Sequence, residues 1–319
     1  MAEKASGTLA LIVTTFLAAV LCLPLAACAQ GQDVPADMEE PAADAEVADV
    51  TSVAYLGPAG TYTEEATKLF FGDNDELLAQ ETVAQALELV TDGSAAYAVI
   101  PQENTLGGPV TDYIDALLTT EGVSVVGEVV LPIRQTLMGL PGTDLAQVGT
   151  VYSHKQGLAQ SAAWLDENLP GAERVERPST AAAAQEVAEG ADRTVAAIAA
   201  PGAADLYGLE VLQENVSQSE ANVTRFYVVS RTPNGLEGYD RLTLVASISA
   251  DELPALLEEV CVDGTELVSV HDRPEGSALG RYRYVVELAR EVGFSSEEIE
   301  RISGIQGVAC LGAYGSMQG

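Results

Sequence analysis

Val53-Ala54-Tyr55-Leu56-Gly57-Pro58-Ala59-Gly60-Thr61-Tyr62-Thr63-Glu64 contains the pattern on which the larger part of this chain is built. Its first four residues read as a short apolar strand and Gly57 to Gly60 as the turn that closes it. Thr61 and Thr63 then offer hydroxyl caps to the first amides of a helix. The pattern recurs downstream. Residues 95–100 read as a second strand, stopped by Pro101. Gln102-Glu103-Asn104-Thr105-Leu106-Gly107-Gly108 follows as a Gly-rich turn before a helical stretch at 110–118. Residues 123–131 alternate like a strand. Residues 150–152 are another strand, leading through Ser153-His154-Lys155-Gln156 into a helix over 157–169. A helix at 180–189, a strand at 194–199, a short helix at 202–207 and a strand at 224–230 complete the segment. Strands alternating with helices predict an α/β domain with a mainly parallel sheet. Its polar motifs fall just after strands and at helix starts, where open α/β sheets place their ligand crevice.

Pro233-Asn234-Gly235 and Gly238 mark a linker over 232–240. Residues 241–319 then read strand (242–249), helix (251–260), strand (266–270), strand (282–288), helix (295–302) and strand (307–313). That βαββαβ order predicts a small ferredoxin-like domain.

The chain has 319 residues, enough for two domains with their own cores. Fifteen Lys and Arg face 48 Asp and Glu, a formal net charge of -33. Such a balance argues against nucleic acid as a partner, because phosphates need basic residues. The only histidines are His154 and His271 and no CxxC pair occurs, so neither a metal site nor a cofactor is expected. An apolar run over 8–27 ends in Leu25-Ala26-Ala27-Cys28, which resembles a bacterial lipoprotein box. Residues 1–27 therefore read as a lipoprotein signal peptide, with Cys28 as the lipidated residue. Residues 28–50, acidic and without a base, read as a disordered tether. The expected location is the extracytoplasmic face of the cell membrane. The alternatives are an uncleaved membrane anchor, or the cytoplasm if the signal is not used. Export would also permit a disulfide. In a βαββαβ unit the end of the first helix and the later half of the fourth strand both lie near the start of the first strand. That juxtaposes Cys261 and Cys310; two buried free thiols are the alternative.

Four motifs spread over residues 53–231 resemble the prephenate dehydratase family, in order and spacing. They are Tyr55 to Thr63, Pro101-Gln102-Glu103-Asn104-Thr105 with Gly107, Val151 to Gln156 with Gln160, and Asn222-Val223-Thr224-Arg225-Phe226. The resemblance implies a catalytic domain over 51–231 with a two-lobed, periplasmic-binding-protein-like fold and the active site between the lobes. It implies a carbon–oxygen lyase that converts prephenate to phenylpyruvate in L-phenylalanine biosynthesis. It assigns catalysis to Thr224, Glu103 and Asn104, with Thr224 as the hydroxyl donor to the departing group. Substrate contacts go to Thr61, Thr63, Thr105, Gly107, Ser153, His154, Gln160, Arg225 and Phe226, with Arg225 keeping the local potential positive. Gln135 stands where the family often has His.

The C-terminal domain resembles the ACT regulatory module, which binds phenylalanine. Arg273-Pro274 of the effector motif is present. The motif's carboxylate is replaced by His271, and the Gly turn by Ala250-Asp251-Glu252. A weak or absent phenylalanine effector is therefore expected, in a homo-oligomer. The competing reading is a membrane-tethered solute-binding lipoprotein that captures an aromatic or dicarboxylic acid without catalysis. A receptor has no need of a hydroxyl acid beside its ligand, so Thr224-Arg225-Phe226 together with Glu103-Asn104 discriminates the two.

Overall fold

Strand β1 (Ser52–Leu56) buries Val53, Ala54 and Tyr55 in succession, so both its faces are covered. A strand of that kind requires helices on either side, and the chain supplies them. After β1 come α1 (Tyr62–Phe71), β2 (Glu76–Gln80), α2 (Val83–Asp92), β3 (Tyr97–Asn104), β4 (Gly108–Pro109), α3 (Thr111–Thr119) and β5 (Ser124–Pro132). The computed structural model describes residues 51–319 except 74–75, 218, 220, 235–237 and 263. The expected signal at 1–27, Cys28 and the tether at 28–50 lie outside the described residues.

The chain then crosses into a second lobe. Its elements are β6 (Thr136–Gly139), β7 (Thr150–Ser153), α4 (Lys155–Gln160), α5 (Ala162–Asn168), β8 (Glu173–Glu176), α6 (Thr180–Glu189), β9 (Val195–Ala199), α7 (Gly202–Tyr207) and β10 (Glu210–Gln213). β11 (Val223–Ser230) returns to the first lobe and inserts antiparallel between β3 and β5. The first sheet therefore runs β16-β5-β11-β3-β1-β2, and the second β10-β6-β9-β7-β8. The two crossings, near residues 132–136 and 213–223, join the lobes.

The remainder folds as β12 (Arg241–Ser249), α8 (Leu253–Val260), β13 (Glu266–Pro274), β14 (Arg281–Ala289), α9 (Ser296–Ser303) and β15 (Val308–Tyr314). Its sheet order, β13-β14-β12-β15, all antiparallel, is the ferredoxin-like arrangement. Leu244, Val286, Leu256 and Ile299 fill the space between this sheet and its two helices. The chain ends by adding β16 (Ser316–Gln318) parallel to β5, which ties the C-terminal unit to the edge of the first sheet.

Three expectations about local structure change. Strand β3 runs on through Pro101 to Asn104 instead of stopping at the proline. The helix over 157–169 breaks at Ser161 into α4 and α5, since Ser161 adopts φ -104° and ψ 6°. The expected disulfide is not formed: Cys261 and Cys310 are both free. The register sets Cys310 opposite Leu244 in mid-strand, whereas Cys261 caps α8, and burial raises the pKa of each thiol.

Helix α9 begins with a capping box: Ser295 Oγ accepts from the Glu298 amide, and the Glu298 carboxylate accepts from the Ser295 amide at 2.9 Å. Arg290 Nη1 donates to the same carboxylate at 2.7 Å. Arg290, then Ser295, holds the Glu298 pKa down to about 2, from 4.5. A depressed carboxylate stabilises the fold above its unfolded pKa and loses that contribution as pH falls through the folded one. The glutamine of Glu298→Gln can still accept from the Ser295 amide, as Gln85 does for Thr82 in α2, so urea unfolding should show a loss of only about 0.5 kcal/mol at neutral pH, the worth of a surface ion pair. The gap to wild type should shrink as pH drops from 4.5 towards 2.

Candidate active site

A cavity of about 410 Å³ lies between the lobes. The first lobe lines it with Thr61 and Thr63 at the start of α1, Pro101 and Asn104 on β3, and Thr224 and Phe226 on β11. The second lobe contributes Gln135, His154, Gln156, Gln160, Ser179 and Thr180.

One irregularity of the first sheet decides what this cavity contains. Along a regular strand, alternate side chains face opposite sides. Pro101 and Asn104 are three residues apart and yet line the same cavity. The ladder explains this. Phe226 pairs with Pro101 and Arg225 with Glu103, so Gln102 is the extra residue of a β-bulge. Beyond the bulge the parity of β3 is reversed. Asn104 now faces the cavity, and Glu103 faces the opposite side. Bulges beside active sites re-aim side chains in this way.

Asn104 is the hub of the site. Its Nδ2 donates to Thr224 Oγ1 at 2.9 Å and to Asn222 Oδ1 at 2.8 Å. Its Oδ1 accepts from the Leu106 amide at 3.0 Å, the Gly107 amide at 2.9 Å and Gln156 Nε2 at 3.2 Å. The network continues across the lobes. Asn222 Nδ2 and Gln135 Nε2 both donate to Gln160 Oε1 at 3.0 Å, and the Tyr62 phenol donates to Gln135 Oε1 at 3.2 Å. Burial, then Glu65, raises the Tyr62 pKa well above its usual value, so the phenol stays a neutral donor. Thr224 stands at the end of this chain of amides. Its oxygen already accepts from Asn104, so its own proton is available to the cavity.

The cavity brings together Thr61, Thr63, Asn104, His154, Gln160, Thr224 and Phe226 from the residues expected by sequence. It does not include Glu103 and Arg225, and here the expectation is corrected. Both point to the far side of the sheet, where Arg225 Nη2 reaches Glu103 Oε2 at 2.8 Å and Glu287 Oε2 at 2.5 Å, and Nη1 reaches Glu128 Oε2 at 3.2 Å. Burial works against the Arg225 charge, and Glu287 and Glu128 more than offset it, so its pKa is raised. Ser153 is also withdrawn: it is buried and donates to the Ile198 carbonyl at 2.7 Å. Thr105 staples the loop, donating to the Ala221 carbonyl at 2.6 Å and accepting from the Val223 amide at 3.0 Å. Gly107 acts by being small, because a Cβ there would meet Gln156 Nε2 at 2.7 Å and push it from Asn104. His154 caps α4, its Nδ1 accepting from the Gln156 amide at 3.4 Å. Arg273 makes a two-pronged pair with Asp115 of α3, linking the C-terminal sheet to the first lobe, and Pro274 beside it is exposed.

Gln135, Gln156, Asn222 and Tyr62 carry the network, yet sequence reasoning assigned them no role. Gln156 and Asn222 sit inside the motifs themselves, so their place was a signal. Their pairing depends on the two lobes meeting. No Lys or Arg lines the cavity among the described residues, and Glu81 stands on its wall. Four helices begin there instead: α1 at Thr61, α3 at Val110, α4 at His154 and α6 at Ser179. Their free amides and dipoles favour anions. A second cavity, of about 670 Å³, adjoins this one at Ile133 but shares only Asn222 with the motifs.

Fold and site thus define a two-lobed α/β protein of periplasmic-binding-protein-like architecture, with a small-ligand cleft lined by amides and helix N-termini. The chain belongs to the prephenate dehydratase family, whose model matches residues 53–234. A prephenate dehydratase of Amycolatopsis methanolica is 38% identical over 248 residues, covering 76% of this chain and 80% of that protein. The crystal structure of a prephenate dehydratase from Arthrobacter aurescens in complex with L-Phe is 31% identical. It superposes with a TM-score of 0.72, covering 83% of this chain and 90% of that one. GqqA, described as a novel type of quorum quenching acylase, is 27% identical with a TM-score of 0.72, over 82% of this chain and 97% of that one.

Proposed function

We propose that this chain is a lyase that converts prephenate to phenylpyruvate, CO₂ and water, as a step of L-phenylalanine biosynthesis. The observation that carries the reading is the Asn104–Thr224 hydrogen bond of 2.9 Å, which orients the Thr224 hydroxyl as a donor inside the cavity. As the ring carboxylate leaves as CO₂, its bonding electrons enter the ring and the allylic C–O bond breaks. The departing oxygen needs a proton, which Thr224 supplies, and the threonine oxygen, held by the Asn104 amide, regains a proton from solvent before the next turnover. A neutral threonine is a weak acid, so orientation and a preorganised polar site contribute much of the effect. The substrate's two carboxylates go to the helix starts at Thr61, Val110 and Ser179, and Phe226 packs against its ring. The test is to incubate the purified protein with prephenate and follow phenylpyruvate. Many product molecules per protein are expected; prephenate that is bound but unchanged would favour a receptor.

Two further parts of the reading rest on the sequence. The C-terminal unit is an ACT-like module in which phenylalanine binds weakly or not at all. Arg273 is engaged with Asp115, and the Gly turn and effector carboxylate are missing. Calorimetry showing tight phenylalanine binding with inhibition would contradict this. The Leu25-Ala26-Ala27-Cys28 box makes the enzyme a lipid-anchored protein of the extracytoplasmic face. Lipid labelling should then disappear in Cys28→Ser, and a native protein that begins at an unmodified Met1 or Ala2 would rule the anchor out.

A further inference from the structure

The catalytic pair hangs on two strands whose reverse side is held by the C-terminal sheet. Asn104 faces the cavity only because of the bulge at Gln102. Thr224 shares its strand with Arg225 and Tyr227, which face away from the cavity. All three reverse-side groups converge on one buried carboxylate, Glu287 of β14, which is 1% exposed. Glu287 Oε2 accepts from Arg225 Nη2 at 2.5 Å, from Gln102 Nε2 at 3.5 Å and from Ser269 Oγ, while Oε1 accepts from the Tyr227 phenol. His271 of β13 adds a second hold on the bulge through Gln102 Nε2 at 3.0 Å.

This arrangement is more than domain docking. Docking is served elsewhere, by Arg273 on Asp115, Arg283 on the Leu118 carbonyl at 3.1 Å and β16 on β5. Glu287 instead grips the unpaired residue of the bulge and both outward side chains that flank Phe226. A bulge has lost part of its ladder, so its geometry must be fixed by side chains. If Gln102 and Arg225 drift, the parity reversal of β3 loosens and Asn104 no longer meets Thr224 at a fixed distance.

We propose that Glu287 is a positioning residue for catalysis, contributed by the C-terminal sheet to the reverse of the Asn104–Thr224 strand pair. The C-terminal unit is then a working part of the active site even without an effector. The inference rests on the prephenate dehydratase reading for its activity measurement, but its structural half is independent of that reading.

The test compares wild type with Glu287→Gln, which keeps the size of the side chain and removes its charge, and with Arg283→Met, which removes a docking contact remote from the bulge. In Glu287→Gln, kcat for prephenate should fall about 10–100-fold, as small misplacements of catalytic groups do. KM should move by less than about 3-fold, because the helix starts that hold the substrate are untouched. Amide hydrogen exchange should rise in the segments spanning 101–105 and 223–227. Arg283→Met should leave kcat and those segments near wild type, whatever it does to Tm. Should Glu287→Gln fail to fold, Tyr227→Phe removes one of the same bonds and should move both readouts in the same direction, less far. Unchanged kcat, or unchanged exchange at 101–105 and 223–227, overturns the proposal. An equal loss of kcat in Arg283→Met would do so too, reducing Glu287 to a docking contact. A wild-type protein that leaves prephenate unchanged overturns the functional reading instead, and exchange alone then decides the positioning role.

Discussion

Thr224→Val is expected to lose about 10²–10⁴-fold in kcat, the usual worth of a positioned general acid, while prephenate still binds within a few-fold. Valine has nearly the shape of threonine, so the packing of β11 against β3 and β5 should survive. What disappears is the one hydroxyl whose oxygen is held by Asn104 and whose proton is available to the cavity. Binding should persist because the groups offered to the substrate carboxylates belong to other elements, the starts of α1, α3 and α6. Steady-state kinetics together with calorimetry on the inactive variant separates the two quantities. A variant with near-normal turnover removes Thr224 from the mechanism, and one with lost binding makes it a ligand contact.

Asn104→Asp is the second large effect, and a sharper one. The carboxylate keeps an acceptor for the Leu106 and Gly107 amides and for Gln156, so the loop after β3 should hold its shape. It has no hydrogen to give to Thr224 Oγ1 or Asn222 Oδ1. The hydroxyl of Thr224 would then turn round and donate to the new carboxylate, and its proton would no longer be free for the leaving oxygen. The added negative charge also lies beside a dianionic substrate in a cavity that no Lys or Arg lines among the described residues. Turnover should fall about 10²-fold or more, within the range of a lost general acid, and KM should rise as well. Asn104→Ala should be as inactive and also less stable, because it leaves buried partners unpaired. Near-wild-type activity in Asn104→Asp would show that the direction of the Asn104–Thr224 bond is unimportant.

The alternation of short strands and helices was legible because each apolar run ended in Gly, Pro or a helix cap. Several elements were not read from the sequence. β2 and β6 carry weak or short patterns, and β16 is a three-residue strand whose pairing with β5 depends on the far end of the chain. Motif positions identified the cleft, since Asn104, Thr224, His154 and Gln160 all reach it. Their facing was less accessible. Glu103 and Asn104 are neighbours, and only one can point inward; Glu103 would have been that residue in a regular strand following Pro101. The bulge at Gln102 reverses the choice, and nothing local in Pro101-Gln102-Glu103-Asn104 announces it. Pro101 was read as a strand end, yet β3 continues through it to Asn104. For Arg225 the resemblance implies a substrate role through its place in the Thr224-Arg225-Phe226 motif. Its true neighbours, Glu128 and Glu287, are distant in sequence, and the second comes from another sheet. Ser153 was likewise read as a donor to the substrate, but its proton is taken by a backbone carbonyl that only the neighbouring β9 supplies.

The most direct test of the account is product analysis at substoichiometric protein, with wild type and Thr224→Val run side by side on prephenate. The wild-type protein should give phenylpyruvate and CO₂ in equal amounts over many turnovers, and Thr224→Val a rate close to the uncatalysed background although it still binds the substrate. Equal rates in the two proteins, or prephenate recovered intact from a wild-type protein that binds it, would contradict the account.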